Sequence, residues 1–345
     1  SKILSGLTMN TNAYSQWFRG STPYSSAHRG KTFVVYLGGE ALAHANITNI
    51  IHDLALLHVL GVQLVLVHGG RPQLDKALPN SKTHNHRRIT EPGDMDKVTG
   101  VYGLLRSHLE GLFSTGLPNT PLHNVDISVV SGNFVTAKPL GVLDGIDHLL
   151  TGQLRSLDSA RIRDLLSAAN LVLQSPLGFS NSGQAFNLAS EELAADISIA
   201  LQADKLIFFD DIEHLKTSQS QRQSTITPST LDDFLADLSL GSAQRYLAMA
   251  RAVRAGVTKA HQISYVHDGG LLQELFTAEG VGTQLVEEQR HPVRAAVLAD
   301  VGDIVEMIRP LEESGALVRR SRDRLEQEID YFMVAEVDGV VVGCC

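Results

Sequence analysis

Two apolar runs that each break off in paired glycines constrain this chain most. TFVVYLGGEAL (32–42) and VQLVLVHGG (62–70) are dominated by Val, Leu and Phe, with little polar alternation. Strands apolar on both sides need cover on both faces, which is the situation of a mostly parallel sheet between helical layers. The segment between them supplies such cover. ITNIIHDLALLHVLG (47–61) sets Ile47, Ile50, Ile51, Leu54 and Leu57 on one helical face and stops at Gly61.

The alternation continues downstream. Pro72 suits the first turn of a helix after HGG, and a further helix is predicted near 95–115. ISVVSGNFVTAKPLG (127–141) reads as two short strands around a turn, and LVLQSPLGFS (171–180) and KLIFFDD (205–211) read as buried strands. SEELAADISIAL (190–201) reads as a helix with Ser190 as its cap and an acidic first turn. The polar run LKTSQSQRQSTITPST (215–230) reads as a mobile surface loop. A helix near 241–255, the strand HQISY (261–265) and DGGLLQELFTAEGVGTQL (268–285), a short helix, a glycine loop and a strand, complete the unit. The fold class is α/β. Ligands of such sheets collect at the carboxyl ends of the strands, where LGGE, HGG and SPLGFSNSG lie.

Near Glu287–Pro292 the pattern restarts. VRAAVLADVGDIVEMIRPLEESG (293–315) predicts a strand, an Asp300 cap and an amphipathic helix, and YFMVAEVDGVVVGCC (331–345) a hairpin about Asp338-Gly339. So short an α/β piece is not expected to close a full core, so a second domain cut short is expected. At the other end, AYSQWFRG (13–20) puts Tyr14, Trp17 and Phe18 on one face of a short helix, which packs on its own domain or on another subunit.

Composition narrows the partners. A length of 345 residues suggests two domains. The net charge of -9, with no dense Lys/Arg patch, argues against nucleic acid or a membrane surface as partner. No apolar run approaches membrane-spanning length and no charged-then-apolar leader opens the chain. The two cysteines, Cys344 and Cys345, are adjacent and form a poor disulfide or metal pair. A cytoplasmic protein is expected. His84 and His86 in THNHRR, without carboxylate or cysteine partners, read as solvated loop residues, so no metal is expected. Cys345 reads as a packing residue rather than a nucleophile.

The LGGE and HGGRPQ turns, together with DGGLLQELFTAEGVGTQL, resemble the amino-acid kinase fold of the acetylglutamate kinases, a three-layer sandwich. RAAVLADVGDIVEMIRPLEESGALVRRSRDRLEQEID resembles the start of a GNAT acetyltransferase domain. In this order, from Phe18 to Cys345, the two resemble the bacterial N-acetylglutamate synthases. The resemblance implies an N-terminal arm over 1–30 as an oligomer contact, an arginine-binding kinase-like domain over 31–287 and an incomplete GNAT domain over 292–345. It implies acetyl transfer from acetyl-CoA to the amino group of L-glutamate at the start of arginine synthesis. It also implies L-arginine as effector and a homo-oligomer, with a hexamer as the suggested size. The glycine-rich turn that binds the CoA pyrophosphate would follow VVVGCC.

The resemblance assigns residues. A kinase of the family carries a lysine just before its first Gly-Gly, because the transition state spreads negative charge over the phosphoryl oxygens. Here Tyr36 stands there, ahead of Gly38 and Gly39. A second kinase lysine corresponds to Arg245, and the organising Asp to Glu191. Three such changes imply a kinase site that does not move phosphate. For arginine binding the matching residues are Glu274, Gly280, Gly282 and Tyr24. A buried guanidinium wants a carboxylate and carbonyl oxygens. For a glutamate carboxylate, Arg319 with the Leu317 backbone matches, while Arg320 and Arg322 read as a solvated charge run. Two alternatives stay open at this point: a working ATP-dependent acetylglutamate kinase, and a non-catalytic arginine sensor.

Overall fold

The computed structural model describes residues 22, 24–115, 123, 125–212, 214–216, 222–277, 280–287, 293–337 and 340–345. The aromatic stretch 13–20 and the Asp338-Gly339 turn lie outside them. The chain divides into a body over Arg29–Glu287 and a second unit of Glu288–Cys345 with Ser1–His28.

The strands of the body's main sheet and small barrel are, in order, β1 (Thr32–Leu37), β2 (Gln63–His68), β3 (Val129–Val130), β4 (Val135–Pro139), β5 (Thr151–Leu157), β6 (Leu171–Gln174), β7 (Leu177–Phe179), β8 (Ala185–Leu188), β9 (Lys205–Asp210), β10 (Thr225–Ile226), β11 (Lys259–Ser264) and β12 (Thr283–Leu285). Eight form one sheet in the order β10-β12-β11-β9-β1-β2-β6-β3, and β7-β8-β5-β4 close a small barrel. Six strands of the large sheet run the same way; β12 is antiparallel to β11 and β10 follows β12. The helices of five or more residues among the described residues of the body are α1 (Gly39–Ala43), α2 (Ile47–Val59), α3 (Arg71–Ala77), α4 (Met95–Phe113), α5 (Ser159–Ser167), α6 (Ser190–Leu201), α7 (Leu240–Arg254) and α8 (Gly270–Phe276).

The apolar strands earn their burial from both faces. Val34, Tyr36, Val65, Val67, Leu206 and Phe208 share a core with Leu193 and Ile197 of α6 and Tyr246 and Met249 of α7. Strand side chains alternate, so Phe33, Val35 and Leu37, also buried, turn to the opposite face. α2 buries Ile47, Ile50, Ile51, Leu54 and Leu57 as its spacing predicts.

Three local expectations change. The two strands of 127–141 form, but β3 joins the large sheet and β4 the barrel. Ser190 is the first residue of α6 rather than its cap; Ala189 holds the cap position and makes no side-chain bond there. The 215–230 run is not all loop. Leu215–Lys216 pairs with Arg222–Gln223, and β10 extends the sheet. Leu215 and Ile226, buried in an otherwise polar run, seat it.

The second unit has its own small core of Ala296, Val301, Ile304, Leu325, Ile329, Val334 and Val341. Its elements are β13 (Val293–Ala295), α9 (Val301–Glu313), α10 (Arg322–Glu328), β14 (Met333–Val337) and β15 (Val340–Cys344), the strands forming one antiparallel sheet. Asp300 does cap α9 by position, but its carboxylate serves Arg294, at 2.7 and 2.9 Å, and the Val297 N–H instead. No helix among the described residues is long and apolar enough to cross a membrane.

Candidate functional site

The carboxyl ends of β1 and β2 lie side by side, with Leu37 opposite His68, so their glycine pairs meet. A Cβ on Gly69 would lie 2.7 Å from the Tyr36 hydroxyl and 3.3 Å from Gly38 Cα, so only glycine fits. Tyr36 fills the space between the turns. Its ring lies 4.8 Å from that of Phe208, and its hydroxyl donates to Glu191 Oε1 at 3.1 Å and lies 3.2 Å from Ser190 Oγ. Ser190 in turn donates to Glu191 Oε2 at 3.0 Å. Burial first, and then the Glu191 charge, push the Tyr36 pKa well above its ordinary value, so the phenol is neutral.

Arg245 is not free to meet an anion. Its Nε and Nη2 donate to the two oxygens of Asp210 at 3.0 and 2.7 Å, and the Asp210 side chain is wholly buried. Burial opposes the Arg245 charge, but Asp210 outweighs it and raises the pKa. Asp210 was not singled out in the sequence. Its signal was the acidic pair that ends the apolar run KLIFFDD. The structure thus brings Tyr36, Gly38, Gly39 and Glu191 together, and gives Arg245 a buried acid as partner.

A second constellation sits on α8 and the loop after it. Glu274 is on a helix, but its side chain is only 5% exposed. Oε2 accepts the N–H groups of Val281 and Gly282 at 2.7 and 2.8 Å. Oε1 lies 2.7 Å from His261 Nδ1 on β11. Burial alone would raise the Glu274 pKa; the bonds from His261 and the two backbone N–H groups overturn that and lower it to about 2. Burial and then Lys205 lower the His261 pKa, so the ring is neutral and Nδ1 carries the proton that Glu274 accepts. Lys205 Nζ lies 3.5 Å from His261 Nε2. Gly280 has a φ of +58°, and a Cβ on Gly282 would overlap the Gln262 carbonyl, so the loop can lie this close to Glu274 only with these glycines. On its outer side, Arg222 Nη2 donates to the carbonyls of Gly280 and Gly282, at 3.0 and 3.4 Å. Glu274 and the two glycines are legible in the sequence, whereas nothing local marks His261, Lys205 or Arg222. Tyr24 is half-buried in a helical stretch over 24–28.

Beside the Tyr36 turn lies a cavity of about 630 Å³, walled in part by Arg71, Arg87, Arg88, Tyr102, Asn187 and Glu191. Two of its arginines are in ion pairs, Arg87 with Glu192 and Arg88 with Asp75, while Arg71 donates to the His86 carbonyl at 3.0 Å. His84 and His86 are half-buried rather than solvated. His84 has an acidic neighbour, Asp144 at 3.6 Å, and a ring neighbour, His148 at 5.5 Å, both from a hairpin distant in sequence. Among the described residues no three His, Cys, Asp or Glu side chains gather to hold a metal.

In the second unit Leu317 and Arg319 lie between α9 and α10, both exposed, and Arg319 makes no ion pair among the described residues. Arg320 lies over the Phe332 ring and near Glu328, and Arg322 pairs with Glu326 at 3.0 Å. Cys345 is exposed, not packed, and its backbone pairs with Met333.

The model of the amino acid kinase family matches residues 31–264. The amino-acid acetyltransferase of Aeromonas salmonicida is 45% identical over 95% of this chain and 76% of its own length. That of Vibrio vulnificus is 42% identical over 98% and 79%. Among solved structures, the N-acetylglutamate synthase of Neisseria gonorrhoeae complexed with coenzyme A and L-arginine matches with a TM-score of 0.83 at 31% identity, covering 96% of this chain and 78% of that one. The fold alone is shared with the Giardia lamblia carbamate kinase bound to AMP-PNP, with a TM-score of 0.53 at 16% identity over 75% of this chain and 99% of that one.

Proposed function

The chain belongs to the amino-acid acetyltransferase family, and from that premise we propose that it is an N-acetylglutamate synthase whose kinase-type body binds L-arginine as effector. The reaction joins the amino nitrogen of L-glutamate to the thioester carbonyl carbon of acetyl-CoA and releases CoA. The observation that carries the effector half is Glu274, a buried and ionised carboxylate under a glycine loop. A carboxylate is the acceptor a guanidinium seeks, and the Gly280 and Gly282 carbonyls lie on the loop beside it.

The body, 31–287, takes the sensing role, and residues 292–345 begin the acetyltransferase part. Arg319, exposed and in no ion pair among the described residues, takes the glutamate carboxylate, with the Leu317 backbone beside it. Phosphoryl transfer is disfavoured, since Tyr36 is neutral and Arg245 is committed to Asp210. Residues 1–30 contribute to a homo-oligomer, through which arginine acts at a distance by favouring one of two arrangements. The enzyme works in the cytoplasm at the first step of arginine synthesis.

The test is formation of N-acetylglutamate from acetyl-CoA and L-glutamate by the full-length protein, with and without L-arginine. Product whose rate responds to arginine is expected. Absence of product would overturn the activity, and an unresponsive rate would overturn the effector role.

A further inference from the structure

We propose that Arg222 is an internal competitor of the effector, holding with its own guanidinium the loop carbonyls that a bound L-arginine would take. The inference rests on the assignment of L-arginine to the Glu274 pocket. It starts from the way the 280–282 loop is loaded on both sides. Inward, the N–H groups of Val281 and Gly282 go to Glu274 Oε2. Outward, the carbonyls of Gly280 and Gly282 accept from Arg222 Nη2.

A carboxylate offers about four lone-pair positions. On Glu274, Val281, Gly282 and His261 already use three of them. Glu274 therefore cannot meet both prongs of a guanidinium without giving up an existing bond. The remaining donors of an incoming arginine need other acceptors, and this loop offers the two glycine carbonyls. Those are the groups Arg222 holds.

The exchange needs no rebuilding of the chain. Arg222 is exposed and sits on the hairpin with Leu215–Lys216. Separate bonds anchor that hairpin: Thr283 Oγ1 donates to the Gln223 carbonyl at 2.7 Å and accepts the Leu215 N–H at 2.9 Å. The Arg222 side chain can swing out while these persist. One guanidinium replaces another, so the carbonyls are never left without a donor. A ligand ending in a compact ammonium lacks the planar fork, which favours arginine over lysine in the exchange.

Calorimetric titration of L-arginine into this chain and into Arg222→Gln and Arg222→Lys tests the proposal. Competition lowers apparent affinity by the competent fraction. Removing it tightens binding about fivefold, the factor that about 1 kcal/mol of exposed hydrogen bonding represents. Arg222→Lys keeps the charge on a shorter side chain, whose ammonium ends short of the position from which Nη2 holds both carbonyls, so it too is expected to bind more tightly than wild type. A gain confined to Arg222→Gln would mean charge repulsion, not competition, and would overturn the proposal. Equal affinity in all three proteins, or weaker binding in the variants, would overturn it and leave the effector assignment standing. If none of the three binds arginine, the effector assignment fails and this proposal with it.

Discussion

Replacing Glu274 with Gln tests the centre of the effector site with almost no change of shape. The Glu274 pKa falls from 4.5 to about 2 on folding. At about 1.4 kcal/mol per unit, ionisation of this one group contributes about 3 kcal/mol of stability at neutral pH. The sign follows from the depressed folded value. The contribution is complete above the unfolded pKa of 4.5 and disappears as pH falls toward about 2. Glu274→Gln is therefore less stable than wild type at pH 7, by up to that amount. The gap closes as the pH is lowered through this window. The amide oxygen can still accept the Val281 and Gly282 N–H groups, as neutral bonds about half as strong. Urea denaturation of both proteins at a series of pH values reads the gap directly. Arginine binding responds as well: loss of a charged partner for the guanidinium, worth about 1.5–3 kcal/mol, weakens it about 10- to 150-fold. A stability gap independent of pH would mean that Glu274 is not held ionised by its partners, and an arginine affinity within threefold of wild type would mean that it does not meet the guanidinium.

Two further outcomes follow from the other clusters. Tyr36→Phe removes the hydroxyl between the glycine turns and its bond to Glu191, lowering stability by about 1 kcal/mol in denaturant titration. It leaves arginine affinity unchanged, and a shift in that affinity would tie the turn to the effector site. Arg319→Ala in the full-length enzyme raises the KM for glutamate about tenfold or more, the value of a charged hydrogen bond, while Arg322→Ala, whose side chain already pairs with Glu326, does not. Equal KM values in the two variants would remove Arg319 from the substrate site.

The sheet was legible because buried parallel strands write themselves as continuous apolar runs. FVVYL, VQLVLV and KLIFFD each became a strand of the central sheet. The sites were legible only in part. Tyr36 stood out because it stands, just before the first glycine pair, where the resemblance implies a lysine. Asp210, His261 and Lys205 did not, because a polar side chain inside an apolar strand gives no sign of what it faces. His261 meets Glu274 across 13 positions, and Arg245 meets Asp210 across 35. Such pairs arise from the way α7 and α8 pack against the strands of the sheet, which local periodicity does not encode. The 215–230 run misled for the opposite reason. Its polar composition hid two buried anchors, Leu215 and Ile226, and a neighbouring strand supplied the hydroxyl of Thr283 that ties its backbone.

The neutral phenol at the glycine turns also makes the body optically legible. Tyr36, Tyr102 and Tyr246 are all buried, and burial raises the pKa of each. In an alkaline titration these rings stay silent in tyrosinate absorbance while exposed tyrosines ionise. They then answer together when the body opens. Tyr36 thus serves as a built-in reporter of whether its own domain is folded.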